Sequence, residues 1–287
     1  MKMTNGCLHA GRRWLALLLG LGLSMARAAA PDCAQGLEMP AAFAGRTLLL
    51  FGEIHGTREA PAFVGRYLCA ALAQPGPLLL GLEIPGADNQ AAIDAYLASA
   101  GTLADRRALM ATPHFRAKLS DGRSSVAMFE LIELARRLRH EGGPVGVLAF
   151  DAWPEATRHD RGESREQAMA QNLRAAARPG TRLIVLAGNA HVSARVGRPG
   201  APDYAPLGAL LADLAPLRLN IDLTGGSHWT CRKPGDCGPQ PMPSHPALRP
   251  GTSLLGLDER GAEAGFDGYF HVGPITPSPL ASDSVGQ

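Results

Sequence analysis

Five apolar runs constrain this chain more than any other feature, because each is continuous rather than alternating and each meets a polar side chain at its end. "TLLLFGEI" reaches Glu53 and then His55, "PLLLGLEIP" carries Glu83, and "GPVGVLAFDAW" carries Asp151. "RLIVLAGNAHV" carries Asn189 and His191, and "LRLNIDLTGG" carries Asp222. Continuous apolar runs fit strands buried on both faces. Between them lie stretches of helical periodicity: "APAFVGRYLCAALA" with Thr57 as its expected cap, "ESREQAMAQNLRAAA" and the short "PLGALLADLA". The alternation predicts an α/β fold, a mostly parallel central sheet flanked by helices. Residues 88–140 hold only helical pattern and predict a helical insertion over the carboxyl edge of the sheet. From about Cys231 the chain turns rich in Pro and Gly, with one late strand candidate in "FDGYFHV", and its last ten or so residues read as disordered.

The beginning of the chain reads as an export signal. Lys2, Arg12 and Arg13 precede "WLALLLGLGL", and Ala26-Arg27-Ala28 offers a small-x-small cleavage site. Residues 1–28 are therefore expected to be removed, leaving 29–287 as a single α/β domain. Cleavage after Ala30 would leave Pro31 first, which peptidases tolerate badly. The apolar run is too short to span a bilayer comfortably. Arg12-Arg13 is a weak twin-arginine match, so general and twin-arginine export both remain open. Cys33 follows Pro-Asp, which is no lipobox. The predicted location is periplasmic or secreted, with no stable membrane span after cleavage.

Removal of this segment changes the charge argument. Residues 1–28 hold four basic side chains and no acidic one; against 28 basic and 26 acidic residues in the whole chain, the remainder has net charge −2. No basic surface excess invites nucleic acid. Four cysteines remain, an even number in an exported chain. Cys231 and Cys237 flank the turn-rich "RKPGD" and are the favoured pair, with Cys33–Cys69 following by elimination. Neither spacing is C-x-x-C, which weighs against a zinc site from these four.

In a parallel sheet the loops beyond the carboxyl ends of the strands share one crevice. A single His or Asp at a strand end is usually a cap, but five ends carrying such groups predict a site. Glu53 and His55 stand two apart, on one side if strand geometry persists, and Asn189 and His191 repeat the spacing. Each histidine closes a Gly-x-x-His pattern, "GEIH" and "GNAH". A carboxylate beside an imidazole fixes its tautomer and raises its basicity, as a general base requires. Two histidines with Glu53, Glu83 or Asp151 also make a plausible divalent-metal shell, so water activated by His and water activated by metal both stay open.

"GEIHGTRE", "GLEIP" and "GNAH", in this order, resemble the erythromycin esterase/ChaN/TraB/Tiki superfamily over roughly residues 45–225. The resemblance implies an α/β core with a helical insertion and a site built from Glu53, His55, Glu83 and His191. "HGTRE" is similar to the esterase branch, where Glu59 also matches, whereas "GLEIPGADNQAAIDAYL" looks more like the haem-binding ChaN branch. The family includes hydrolases, some of them metal-dependent proteases, and a haem-binding lipoprotein.

Further candidates are Arg123 in "DGRSS", placed to meet an anionic substrate or oxyanion at a helix start, and Arg165 with Asn172 two turns later on nearly the same face of a helix. For Arg165 a solvated helix face is the preferred reading. "HWTCRKPGDC", with His228 and Trp229, reads as a stapled surface loop. There is no Gly-x-Ser-x-Gly elbow for a serine hydrolase. Two readings of function result. The first is an exported hydrolase of an ester, lactone or amide, small molecule or peptide. Glu53, His55, Glu83 and His191 would be its catalytic set (its metal ligands if a divalent ion takes part), and Arg123, Glu59, Asp151, Asn189 and Arg165 its substrate contacts. The second is a periplasmic binder of haem or another iron ligand, held by His55, His191 or Tyr96.

Overall fold

The computed structural model describes residues 33, 36–117, 121–152, 163–233, 236–244 and 254–284. The predicted signal segment 1–28 lies outside them. Five of the strands are those expected: β1 (Leu48–Glu53), β2 (Leu78–Pro85), β3 (Val145–Asp151), β4 (Arg182–Gly188) and β5 (Leu217–Lys233). To these are added β6 (Asp236–Met242), β7 (Leu255–Leu257) and the late strand β8 (Gly268–Ile275). The order across the sheet is β3-β2-β4-β1-β5-β8-β7, with β6 on β5. The neighbours from β3 to β8 run parallel; β7 on β8 and β6 on β5 are antiparallel.

Burial on both faces explains the continuous apolar runs. Every residue of β1 and of β4 is buried. Successive side chains point to opposite faces, and the two resulting cores are distinct. Leu49 and Phe51 pack with Phe63, Tyr67, Leu131 and Ile132 from α1 (Glu59–Ala71) and from the long helix Val126–His140. Leu48 and Leu50 pack on the other side with Met169, Leu173, Val192 and Leu207. Phe51 anchors the first core edge-on to Tyr67 and Phe270, at 5.1 and 5.3 Å between ring centres.

The segment between β2 and β3 is helical, as the pattern predicts: α2 (Gly86–Ala98), α3 (Leu103–Met110), α4 (Pro113–Arg116) and α5 (Val126–His140). α6 (Glu163–Ala176) precedes β4, and the short α7 (Asn189–Val192) and α8 (Leu207–Leu210) follow it. No helix of the described residues is long and apolar enough to cross a membrane.

Three expectations are corrected. Thr57 does not cap α1; the helix starts at Glu59 after Arg58, and the Thr57 hydroxyl donates to Ile54 O instead. "HWTCRKPGDC" is not a surface loop but the end of β5 pairing with β6, with Cys231 opposite Cys237. β5 turns to do this at Gly225 and Gly226, both at positive φ (106° and 119°), a region open to glycine. The chain end is not disordered as far as Ser284: Ser278 and Ala281 are buried, Ser278 Oγ accepts from Ala127 N at 2.9 Å, and Pro279 O accepts from Val126 N at 2.8 Å. A proline-rich segment has few amides to satisfy and suits an extended strap.

Both expected disulfides form, Cys33–Cys69 and Cys231–Cys237. They close loops of unequal length, with sequence separations of 36 and 6. Chain-entropy arguments put their stabilisation at about 4 and about 2 kcal/mol. Replacing Cys33 and Cys69 by alanine is expected to lower the denaturant midpoint more than replacing Cys231 and Cys237. The reverse order in urea titrations would contradict this.

Candidate functional site

The carboxyl ends of β1, β2, β3 and β4 meet at the centre of the sheet because β4 inserts between β1 and β2. Glu53 is the last residue of β1 and pairs in register with Gly188, the last of β4. Glu83 lies near the end of β2 and Asp151 closes β3. The glycines of the two Gly-x-x-His patterns are demanded by close approach. A Cβ at Gly188 would sit 3.0 Å from His55 Nε2 and 3.5 Å from His191 Cδ2, and one at Gly52 would sit 2.9 Å from Asn189 Cα.

Two imidazole–carboxylate pairs face one central carboxylate. His55 Nδ1 lies 3.0 Å from Glu53 Oε1, and its Nε2 lies 3.6 Å from Glu83 Oε2. His191 Nδ1 lies 2.5 Å from Glu166 Oε1, and its Nε2 lies 3.5 Å from Glu83 Oε1. Glu166 is fixed in turn by Leu207 N at 2.8 Å and by the Tyr204 hydroxyl. Two guanidinium groups complete the cluster. Arg123 Nη1 donates to Glu83 Oε1 (2.9 Å) and Asp151 Oδ2 (3.0 Å). Arg165 donates from Nη2 to Glu83 Oε1 (2.6 Å) and from Nε to Asp151 Oδ1 (2.8 Å). Glu83 Oε2 also accepts from Gly188 N at 2.9 Å.

Exposure divides these groups. The side chains of Glu53, Glu83, Glu166 and Asp151 are at most 3% exposed, whereas those of His55, His191, Arg123 and Arg165 are 13–17% exposed. A ligand therefore meets imidazoles and guanidiniums, while the carboxylates lie behind them.

The electrostatics of His55 and of its two carboxylate neighbours are strongly perturbed. Burial opposes a proton on His55, but the Glu83 charge and the bond to Glu53 outweigh it and hold its pKa up to about 9. Burial pushes the Glu53 carboxyl up against the pull of His55. Glu83 is held well below the carboxylate range: burial works against the charge, and His55, His191 and the two arginines overcome it. His191 faces a different neighbour, Arg165 Nη1 at 3.3 Å from its Nε2. His55 is a poised acid, and His191 Nε2 faces a guanidinium.

Glu53, His55, Glu83, Asp151, His191, Arg123 and Arg165 thus come together. For Arg165 the preferred solvated-face reading is overturned: the side chain turns inward to Asp151 and Glu83. Asn172 caps Phe150 O at 2.9 Å and stays outside. Asn189 opens α7, so it does not share a face with His191 as strand spacing predicted; it lies 3.4 Å from Asn220 Oδ1. Glu59 is held away from the cluster by Thr276 N and Oγ1 at 2.9 and 2.6 Å. Asp222 pairs with His271 Nδ1 at 2.9 Å. Glu166, Tyr204 and His114 were not found from sequence. His114 is half-buried, its pKa lowered to about 4 by desolvation, and its Nε2 lies 3.1 Å from Arg123 O; the neutral ring donates to that carbonyl and steadies Arg123.

The donors do not suit a divalent ion. Among the described residues no group of three or more His, Cys, Asp or Glu side chains is arranged to hold a metal, and the shared carboxylate is already bound by two arginines. Haem fits no better. Both Nε2 atoms turn towards Glu83, and Tyr96 is buried with its hydroxyl on Glu133 Oε2 at 2.7 Å.

No family model matches the sequence, and no curated protein matches it. Solved structures do resemble the fold. A succinoglycan biosynthesis protein superposes with TM-score 0.56 at 12% identity, over 82% of this chain and 90% of its own. An erythromycin esterase mutant in its open conformation gives 0.49 at 12%, over 69% and 76%. A structure described as bacterial protein toxins gives 0.43 at 18%, over 68% of this chain; the chain spans 36% of that toxin's length.

The His55 shift has a sign that can be checked. Its folded pKa lies above the ordinary value of 6.5, so its stabilisation is present below about pH 6.5 and is lost as pH rises through about 9. The unfolding temperature of the wild type is expected to fall across that interval, and His55→Gln is expected to flatten the fall. An equally steep fall in the variant, followed by scanning calorimetry, would show that another group is responsible.

Proposed function

We propose that this chain is an exported hydrolase that activates water on an ester, lactone or amide of a small molecule or peptide. The observation that carries the reading is the pair of carboxylate-bound imidazoles, both partly exposed beside two guanidiniums. The resemblance of the "GEIHGTRE" and "GNAH" segments to the erythromycin esterase/Tiki-like superfamily supports it. The two disulfides suit an oxidising compartment.

In this reading His191 Nε2 takes a proton from water, with Glu166 stabilising the imidazolium that forms. The water oxygen bonds to the acyl carbon, and Arg123 and Arg165 face the oxyanion. The bond to the leaving group then breaks as His55 gives its proton to the departing oxygen or nitrogen. Solvent returns the proton from His191 to His55. Glu53 positions His55, and Glu83 and Asp151 hold both arginines in place.

His55→Ala and His191→Ala are each expected to lower turnover of chromogenic esters by about 10²–10⁴ while leaving the fold intact by circular dichroism. Glu53→Gln should also slow turnover, because the isosteric amide no longer holds the charged ring. Full activity in both histidine variants would end the reading. A Soret band in protein purified without a metal-affinity tag, or a saturable haemin titration, would replace it with a binding role.

A further inference from the structure

Glu59, expected among the substrate contacts, stands instead on the rim of a second cavity, of about 530 Å³, between α1 and α5. No residue of its lining belongs to the cluster around Glu83. Its size falls within the roughly 300–1,000 Å³ of small-molecule sites. The floor is apolar, with Pro61, Gly65, Leu131 and Leu134 buried. Gly65 lets the two helices approach closely: a Cβ there would lie 2.9 Å from Leu134 Cδ2 and 3.6 Å from Leu131 Cδ1. Both helices begin at the strap, Glu59 accepting from Thr276 N and Ala127 N donating to Ser278 Oγ, so they run side by side in one direction.

The charges on the rim are separated along this direction. Near the strap stand Arg58, Glu59 and Glu130. Arg58 Nε donates to Pro277 O at 3.2 Å, and both Glu59 oxygens are taken by Thr276. The far end carries Arg66, next to Gly65, and Arg137, nearly one turn beyond Leu134. Each lining carboxylate lies seven residues back along its helix from the arginine, about 10 Å. Glu133, 3.8 Å from Arg137 Nε, is already held by Arg136 and by the Tyr96 hydroxyl. Arg66 is half-buried over the Phe63 ring, 5.2 Å from its centre, and its guanidinium makes no hydrogen bond or ion pair among the described residues. Stacking uses the face of a guanidinium and leaves its N–H edge for an anion.

We propose that this cavity binds a free fatty acid, its carboxylate between Arg66 and Arg137 and its chain over the apolar floor towards the strap. An alcohol of the same chain length loses the charged partner, and a cationic amphiphile meets two guanidiniums. The proposal is independent of the hydrolase reading and needs no turnover.

Isothermal titration of the full chain with decanoate, decan-1-ol and decyltrimethylammonium, each kept monomeric, tests it. Decanoate is expected to saturate at one molecule per chain and to bind at least about tenfold more tightly than the alcohol, the worth of a hydrogen bond to a charged group; the cation should bind more weakly still. Arg66→Gln should weaken decanoate about tenfold and leave the alcohol within about twofold, and Arg137→Gln should repeat the pattern, so the result does not hang on one variant. Ala62→Trp, at an exposed position of the lining, should fill the groove and abolish binding of both while circular dichroism shows an intact fold. Equal affinity for decanoate and the cation, no saturable decanoate binding, unchanged affinity in both arginine variants, or binding that survives Ala62→Trp would each overturn the proposal.

Discussion

A single buried carboxylate, Glu83, organises the site. It accepts from Arg123, Arg165 and the Gly188 amide and faces the Nε2 atoms of both histidines. A charge this deep persists only when paired and hydrogen-bonded. Its pairing fixes groups drawn from four separate elements. β2 places it, β1 and α7 bring the imidazoles, and α6 and the bend before α5 bring the guanidiniums. Asp151 repeats the arrangement one strand further out, so each arginine bridges Glu83 and Asp151, and Arg123 is held by Asp121 as well.

The accessible positive charge of this site is supplied by guanidiniums as well as by an imidazole. A guanidinium stays protonated through the physiological range. The pH response of the site is thus left to the imidazoles. The neutral His114 ring under the Arg123 carbonyl and the Tyr204–Glu166 pair behind His191 are supports of the same kind, polar groups whose only visible task is to hold a partner in one orientation.

What could be read from the sequence follows from where each group lies. Glu53, His55, Glu83, Asp151 and His191 were legible because a polar residue at the end of a continuous apolar run has one place to go in a parallel sheet. Arg165 was misread because a polar residue on a helix with mixed faces resembles a solvated one, and Glu166 beside it was passed over for the same reason; two adjacent charged residues of opposite sign at the start of that helix were the available signal. Tyr204 and His114 come from a connecting segment and a four-residue helix, where no periodicity marks a side chain as inward. The β5–β6 hairpin was hidden by its composition. Gly225, Gly226 and the Pro-Gly turn suggested a loop, whereas the glycines bend a strand that continues. The strap at Ser278 was hidden likewise, since prolines that look like disorder can be a segment with few amides to pair.

The clasp on Gly56 sets the order in which the molecule can be completed. The turn that holds His55 is gripped by Trp229 and by Ser278, and the helix just after it is tied to Thr276, 217 residues away in sequence. Contacts this distant form late, after the entropy of closing the intervening chain has been overcome. A growing chain that has made its first strand and even its whole helical segment still lacks the grip on that turn. The geometry around His55 is therefore a property of the folded whole, withheld until β8 and the strap have been synthesised and laid down.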